Sequence, residues 1–310
     1  MVEATLTAPD ALHIQDESGI ATLEMLHRTC AQDAFLHGWR KTASDTFVLT
    51  GQWPAHHRFF QLTAGRRVDP LLVAETLRQS VHLVVHAGYG VPVGHAFILQ
   101  NIRFHCLPDR LAIGAGPVDL EVRISIPGYR SRDTRLFEAE IEIQLAGITV
   151  AGGGIDFQVV SPGVYRRLRG GRTGLASVRP TTPAVAAALV GRARSEDVLL
   201  SATPQEQTWQ LRIDTGHKTL FQSPKDHAPG MLLLEAARQA ATAVSQPGTF
   251  IPWAADASFF SYVELNEACS IQAHEFTDAA TGKRAVRVTA HQSDRSVFQA
   301  TLRDARADIG

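Results

Sequence analysis

Hydrophobic and polar positions change rhythm several times along this chain. From Thr46 to Trp53, Phe47, Leu49 and Gly51 alternate roughly with polar neighbours and Pro54 ends the run, which predicts a strand. Asp69-Pro70 then opens a predicted helix, with Asp as cap and Pro in the first turn, running to about Ala87 and stopping at Gly88-Tyr89-Gly90. After that the period falls to two. Ala96 to Phe104, Val118 to Ile126, Leu136 to Leu145 and Ile148 to Val160 read as strands. In the third of these, Glu138, Glu140, Glu142 and Gln144 alternate with Ala139, Ile141, Ile143 and Leu145, one face wet and one buried. A helix followed by antiparallel strands is an α+β signature.

The order then begins again. Residues 161–182 are rich in Gly, Pro and Arg and mark the domain boundary, and Thr182-Pro183 opens a short predicted helix to about Arg194. Thr208 to Ile213 reads as a strand, and Pro229-Gly230 precedes a helix from Met231 to about Val244. Strand-like segments follow at Ala257 to Leu265, Cys269 to Phe276, Ala285 to His291 and Val297 to Leu302. Both long helices carry Glu-x-x-Arg-Gln, at Glu75-Arg78-Gln79 and Glu235-Arg238-Gln239. His57 and His217 each stand eighteen residues before their glutamate. The same elements at the same spacing in both halves indicate duplication. The organisation expected is a tail over 1–20, one repeat over 21–160, a linker with a short helix over 161–200 and a second repeat over 201–310. Residues 20–41 have no clear period.

Helical spacing puts Glu75, Arg78, Gln79 and His82 on one stripe, extended by His86, with Leu72, Leu77, Val81 and Val84 opposite. In the second copy, Glu235, Arg238, Gln239 and Thr242 form the stripe on a helix so apolar that it must be nearly enclosed. A buried Glu and Arg are costly unless paired or used. The bland account is an ion pair tying each helix to its sheet.

Composition narrows the classes. The 310 residues suffice for two ordinary domains. Lys+Arg at 30 and Asp+Glu at 31 nearly cancel, so nothing overall draws the chain to nucleic acid or an anionic membrane. Three scattered cysteines with no C-x-x-C pair suggest neither a disulfide framework nor a zinc ribbon, and fit a reducing cytoplasm. No secretory signal or membrane-spanning run is expected. His82-x-x-x-His86 has helical metal spacing, but no third ligand is evident and no metal is expected.

The segment Lys225-Asp226-His227-Ala228-Pro229-Gly230-Met231 through Glu235 and Arg238-Gln239 strongly resembles the A-factor biosynthesis (AfsA-like) hot-dog family of actinobacteria. Asp69-Pro70 through Glu75 to Gln79 resembles that family's first-repeat motif. Leu26-His27-Arg28 and Val190-Gly191-Arg192 followed by Asp197-Val198 look like further family segments, so the resemblance spans about 20–305. It implies a tandem (double) hot-dog, each half a long central helix wrapped by an antiparallel sheet. It implies condensation of a 3-oxoacyl-acyl carrier protein thioester with dihydroxyacetone phosphate, then ring closure to a butenolide (or furan) phosphate precursor of a signalling molecule. It assigns catalytic roles to Glu75, Glu235 and Arg238. No cofactor is required. One departure stands out: Gln222-Ser223 occupies the place of the family's usual Asp-His.

That chemistry needs a base twice, and a carboxylate raised in pKa by apolar surroundings could supply it, Glu235 first and Glu75 second. The helix start at Gly230-Met231 offers free N–H groups for a developing oxyanion, with Gly230 admitting a substrate to the backbone. Arg78 and Arg238 are the leading phosphate cations, with Lys225 and Arg103 behind them. Gln79, Gln239, His57, His217 and His227 are further candidates for substrate contact, although His57 and His217 could equally be satisfied at strand ends, and Asp226-His227 could shape the turn into the second helix with Asp as cap. The arginines at 166–172 read as a solvated linker or a contact for an acidic carrier protein. Gly152-Gly153-Gly154 reads as a bulge. Pockets are expected between each helix and the opposite repeat, and a homodimer remains open. The rival readings are a hot-dog dehydratase or thioesterase, and a non-catalytic acyl-binding module.

Overall fold

A computed structural model describes residues 17–62, 67–112, 114, 116–130, 136–174, 177–279 and 281–304. Among these residues, thirteen strands form one antiparallel sheet in the order β1-β2-β3-β5-β6-β7-β4-β10-β13-β12-β11-β9-β8. In the first half these are β1 (Ser18–Ile20), β2 (Leu36–Ala43), β3 (Thr46–Trp53), β4 (Ala96–Cys106), β5 (Val118–Ser125), β6 (Phe137–Leu145) and β7 (Ile148–Val160). In the second they are β8 (Leu200–Ala202), β9 (Thr208–Leu211), β10 (Pro252–Phe259), β11 (Cys269–Thr277), β12 (Arg284–Gln292) and β13 (Arg295–Asp304). The halves meet edge to edge at β4 and β10, where Ile102 faces Ala257 and Arg103 faces Asp256. Reading outward from that seam, β7, β6, β5, β3 and β2 mirror β13, β12, β11, β9 and β8.

Each half wraps a central helix, α1 (Pro70–Leu83) or α3 (Gly230–Val244), and α2 (Pro162–Leu168) lies between them. Asp69 caps α1 by accepting from the Leu71 amide, and the helix ends in a π turn at Val84–Gly88. Both central helices are buried almost all round, so their polar stripes face protein rather than water. At about 25 cal/mol per Å² of apolar surface, this enclosure is the main driving force for docking each helix on its sheet. Among the described residues, no helix is long and apolar enough to cross a membrane.

Several sequence expectations need correction. Residues 18–20 form β1 against β2 instead of a loose tail, while 1–16 and 305–310 lie outside the described residues. The helix expected from Thr182 shrinks to a 3-10 turn at Ala187–Val190, because the surrounding segment extends along the sheet edge, with the Val185 amide donating to the Leu200 carbonyl. The strand expected from Ala257 starts earlier, at Pro252, drawn into register by β4. The glycine triplet keeps regular register in β7; side chains there would collide with Arg103 and His105 of β4, which lie flat across Gly154 and Gly152. Arg169 is not a solvated linker residue, since it is buried in ion pairs with Asp226 and Glu264.

Candidate functional site

Duplication places one carboxylate cage in each half. In the first, Glu75 Oε1 accepts from Arg78 Nη2 at 2.8 Å and Gln79 Nε2 at 2.7 Å, and Oε2 accepts from Arg78 Nε at 2.9 Å. Arg28, from the irregular segment before β2, pairs with the same carboxylate. Gln79 then pins that segment to α1: its Nε2 donates to the Asp33 carbonyl and its Oε1 accepts from the Phe35 amide. In the second cage, Glu235 accepts from Arg238, Gln239 and Arg192, and Gln239 bridges the Asp197 carbonyl and the Leu199 amide. His57 binds Asp33 at 2.9 Å, and His217 binds Asp197 at 3.2 Å. Glu75 and Glu235 are fully buried.

These cages reverse the expectation of a carboxylate with raised proton affinity. Burial pushes Glu75 up, but Arg28 and Arg78 pull harder and hold it down to about 2. Burial likewise opposes the pull of Arg192 and Arg238 on Glu235, and the net direction is again downward. Both groups stay ionised, and their lone pairs already receive donors. Neither is placed to take a proton in this arrangement.

The cages differ in what surrounds them. Near Glu235, the second acid is Asp69, the cap of α1, whose charge acts on both Arg192 and Arg238. Asp197, itself paired with Arg194, adds a third negative charge near the two guanidiniums. Phe59 from the first repeat closes the cage: its ring lies 4.1 Å from the Arg192 guanidinium, and its carbonyl accepts from Arg192 Nη1. The Arg238 side chain is 5% exposed.

Near Glu75, the residue before the opposite helix is Pro229, which carries no charge. Lys225 enters from the second repeat instead; it forms no hydrogen bond or ion pair among the described residues. Burial and the charges of Arg78 and Arg28 lower its proton affinity, only partly offset by Asp226. Asp33 and Asp226 are engaged elsewhere, with Arg58 and Arg169. Glu75 is thus the one acid paired directly with Arg28 and Arg78 among the described residues, while Asp33 acts on Arg28, and Asp226 on Lys225, from further off. Two buried donors there, Arg28 Nε and Gln222 Nε2, have no partner among the described residues. Gln222 is nevertheless fixed in place, because its Oε1 accepts from the Thr29 amide and its carbonyl from the Thr29 hydroxyl. The Arg78 side chain is 18% exposed. Its Nη1 lies 3.1 Å from His82 Nδ1, while the His27 ring stacks 4.1 Å from that of His82.

Other candidates fall into supporting positions. His227 Nδ1 donates to Asp226 at 2.6 Å, beside the hydroxyl of Tyr165, which ties α2 to the Lys225 loop. Pro229, not Asp226, caps α3. A side chain at Gly230 would meet Leu99 and Phe259, so what approaches this backbone is protein; Met231, the next residue of α3, is buried. Arg103 lies on the outer face of the sheet with Glu138, Glu140 and Asp156. Among the described residues, no group of three or more His, Cys, Asp or Glu is arranged to hold a metal. One hollow of about 350 Å³ lies on the outer sheet beside His105 and another of about 390 Å³ lies by the β2–β3 turn near Tyr129, and neither is lined by Glu75 or Glu235. The pocket expected beside each helix is not one of them; of the five arginine and glutamate side chains of the two cages other than Arg78, none exceeds 8% exposure.

Sequence reasoning did not assign roles to Arg28, Arg192, Asp33, Asp197 or His27. The signal was present, because both segments read Arg-x-x-x-x-Asp.

A family profile described as "AfsA: A-factor biosynthesis hotdog domain" matches residues 11–161 and 174–305. A Streptomyces coelicolor protein named 2-oxo-3-(phosphooxy)propyl 3-oxoalkanoate synthase is 44% identical over 299 residues, covering 96% of this chain and 95% of its own length. A Streptomyces virginiae protein of the same name is 42% identical over 281 residues, covering 90% and 95%. A solved structure described as an oleoyl thioesterase from Lactobacillus plantarum aligns with a TM-score of 0.54 at 11% identity, covering 83% of this chain and 95% of its own, a likeness of fold alone.

Proposed function

The chain belongs to the A-factor biosynthesis hotdog family, and from that premise we propose that it is a synthase joining a 3-oxoacyl thioester to dihydroxyacetone phosphate, giving a 2-oxo-3-(phosphooxy)propyl 3-oxoalkanoate. The observation that carries this reading is the surplus charge at the Glu75 centre, where Arg28, Arg78 and Lys225 gather and buried donors stand unpaired among the described residues. A phosphate dianion supplies negative charge to these cations and acceptors for the orphaned N–H groups. Glu75 holds the guanidiniums in place, and Gln79 fixes the segment that carries Arg28. The cations are thus oriented before the substrate arrives, which is the condition for effective electrostatic stabilisation.

In the reaction the hydroxyl of dihydroxyacetone phosphate adds to the thioester carbonyl. A C–O bond forms, the C–S bond breaks, and the hydroxyl proton ends on the departing thiol. An acyl carrier protein delivers the thioester. The carbon between the two carbonyls of the ester is then acidic enough to attack the ketone and close a butenolide with loss of water. Glu235 and Arg238 occupy the balanced cage and act here as the frame of the second repeat.

The test is to incubate the full chain with a 3-oxoacyl thioester and dihydroxyacetone phosphate and to follow the phosphorylated ester by mass spectrometry. Lys225→Ala is expected to lower kcat/KM for dihydroxyacetone phosphate about 100-fold, equivalent to roughly 2.7 kcal/mol, with the melting temperature retained. An unaffected variant would remove the charge surplus from the argument.

A further inference from the structure

The proton released in acyl transfer needs an acceptor, and both carboxylates are tied up. We propose that His27 is that acceptor, its Nδ1 taking the hydroxyl proton of dihydroxyacetone phosphate at the Glu75 centre. The inference rests on the synthase reading.

The hydrogen-bond chain fixes the tautomer. The Val91 carbonyl can only accept, so His86 Nδ1, 2.8 Å away, carries a proton. Neutral His86 then presents a lone pair at Nε2. His27 Nε2, 2.9 Å away, donates to it. That leaves the lone pair of His27 on Nδ1, which bonds to no protein group among the described residues. The neighbouring His82 is unsuitable, because its Nδ1 accepts from Arg78.

Backbone conformation points the same way. His27 has φ of 53°, in the left-handed region that L side chains rarely adopt. Its counterpart before Arg192 is Gly191, with φ of 67°, where glycine removes the penalty. The first repeat retains a histidine where the second uses the residue that the turn favours. The partner of His27 on α1 is likewise lost: His82 corresponds to Thr242, which packs against Gly191.

The surroundings keep His27 unprotonated until substrate binds. Burial and then Arg78, His86, Lys225 and Arg28 lower its proton affinity to about 3. The charged or titratable groups facing it are thus Arg78 and His82 from α1, His86 from the π turn that ends it, Arg28 from its own segment, and Lys225 from the opposite repeat. Phosphate binding to those cations removes much of their opposition, so the base strengthens when its substrate is in place. His27 then returns the proton to the leaving thiolate, and no net charge remains on the ring.

His27→Gly in the full chain copies the second repeat and relaxes the turn. It is expected to melt no lower than the wild type and to lose kcat about 100-fold, with the KM for dihydroxyacetone phosphate little changed. Free imidazole should restore part of the rate, and the rising limb of the wild-type kcat against pH should vanish. His27→Asn tolerates the turn but cannot accept a proton, and should be equally slow. Wild-type kcat in either variant overturns the proposal, as does a loss confined to KM or one that imidazole cannot relieve. A wild-type chain that makes no ester sinks the synthase reading and this inference together.

Discussion

Glu75 and Glu235 sit in cages built from the same parts: an arginine three residues on, a glutamine four residues on and a second arginine from the segment before the repeat's outer strands. What separates them lies just outside. The Glu235 cage meets Asp69 and the ring of Phe59, so its charges balance and it is closed. The Glu75 cage meets Pro229, Lys225 and a histidine cluster, so positive charge outweighs negative there. An ion pair stabilises or binds according to whether its neighbours complete the charge count. The helix motif common to both copies does not reveal which.

The comparison is broken or sharpened most forcefully by neutralising each glutamate. Glu235→Gln should cost about 3–5 kcal/mol of unfolding free energy, because it strands two enclosed guanidiniums. Glu75→Gln deprives Arg28 and Arg78 of their carboxylate yet should cost less, about 1–3 kcal/mol, since Arg78 can turn toward solvent and Lys225, its proton affinity already lowered, can shed its charge. Denaturant titration measures both, and equal losses would erase the distinction.

Phosphate offers a gentler probe. Inorganic phosphate at about 100 times its dissociation constant should stabilise the wild type by about 2.7 kcal/mol. Thermal melts should show this shift in the wild type and in Phe59→Leu but not in Lys225→Ala. A shift retained in Lys225→Ala would place the anion elsewhere.

Acidity gives a third probe. Histidines held neutral in the fold take up protons on unfolding, so stability falls as pH drops below 6.5, and for His27 the loss continues down to about 3. Glu75 contributes stability of the carboxylate kind, present above 4.5 and lost as pH falls toward about 2. Gly191 and Thr242 replace His27 and His82 in the second cage, so the earlier loss belongs to the first alone. Unfolding curves for His27→Gly should therefore be flatter between pH 6.5 and 4.5 than those of the wild type.

Much of the fold was legible because its signals are local and strong. The apolar faces of α1 and α3, the Asp69 cap and the strict alternation in β6 needed no tertiary knowledge. β1 and β2 were missed because their residues belong to a sheet margin with little alternation, and their pairing partners decide their state. In the site, Glu75, Arg78 and Gln79 announced themselves as a polar stripe on a greasy helix. Arg28 and His27 did not, because an irregular segment gives no period from which to infer a facing partner. The charge of the cages was illegible for a further reason. Asp69 and Lys225 act on the half to which they do not belong, so no reading of one repeat by itself could count them.

That exchange across the β4–β10 seam has an evolutionary corollary. In a dimer of identical subunits, any change to a loop appears at both active centres at once. Joining the two halves into one polypeptide lifts that restriction: one copy can settle into pure scaffolding while its twin drifts toward new ligands. Swapping the 222–228 loop among relatives is then a direct way to ask how far a single centre can be retuned without disturbing the other.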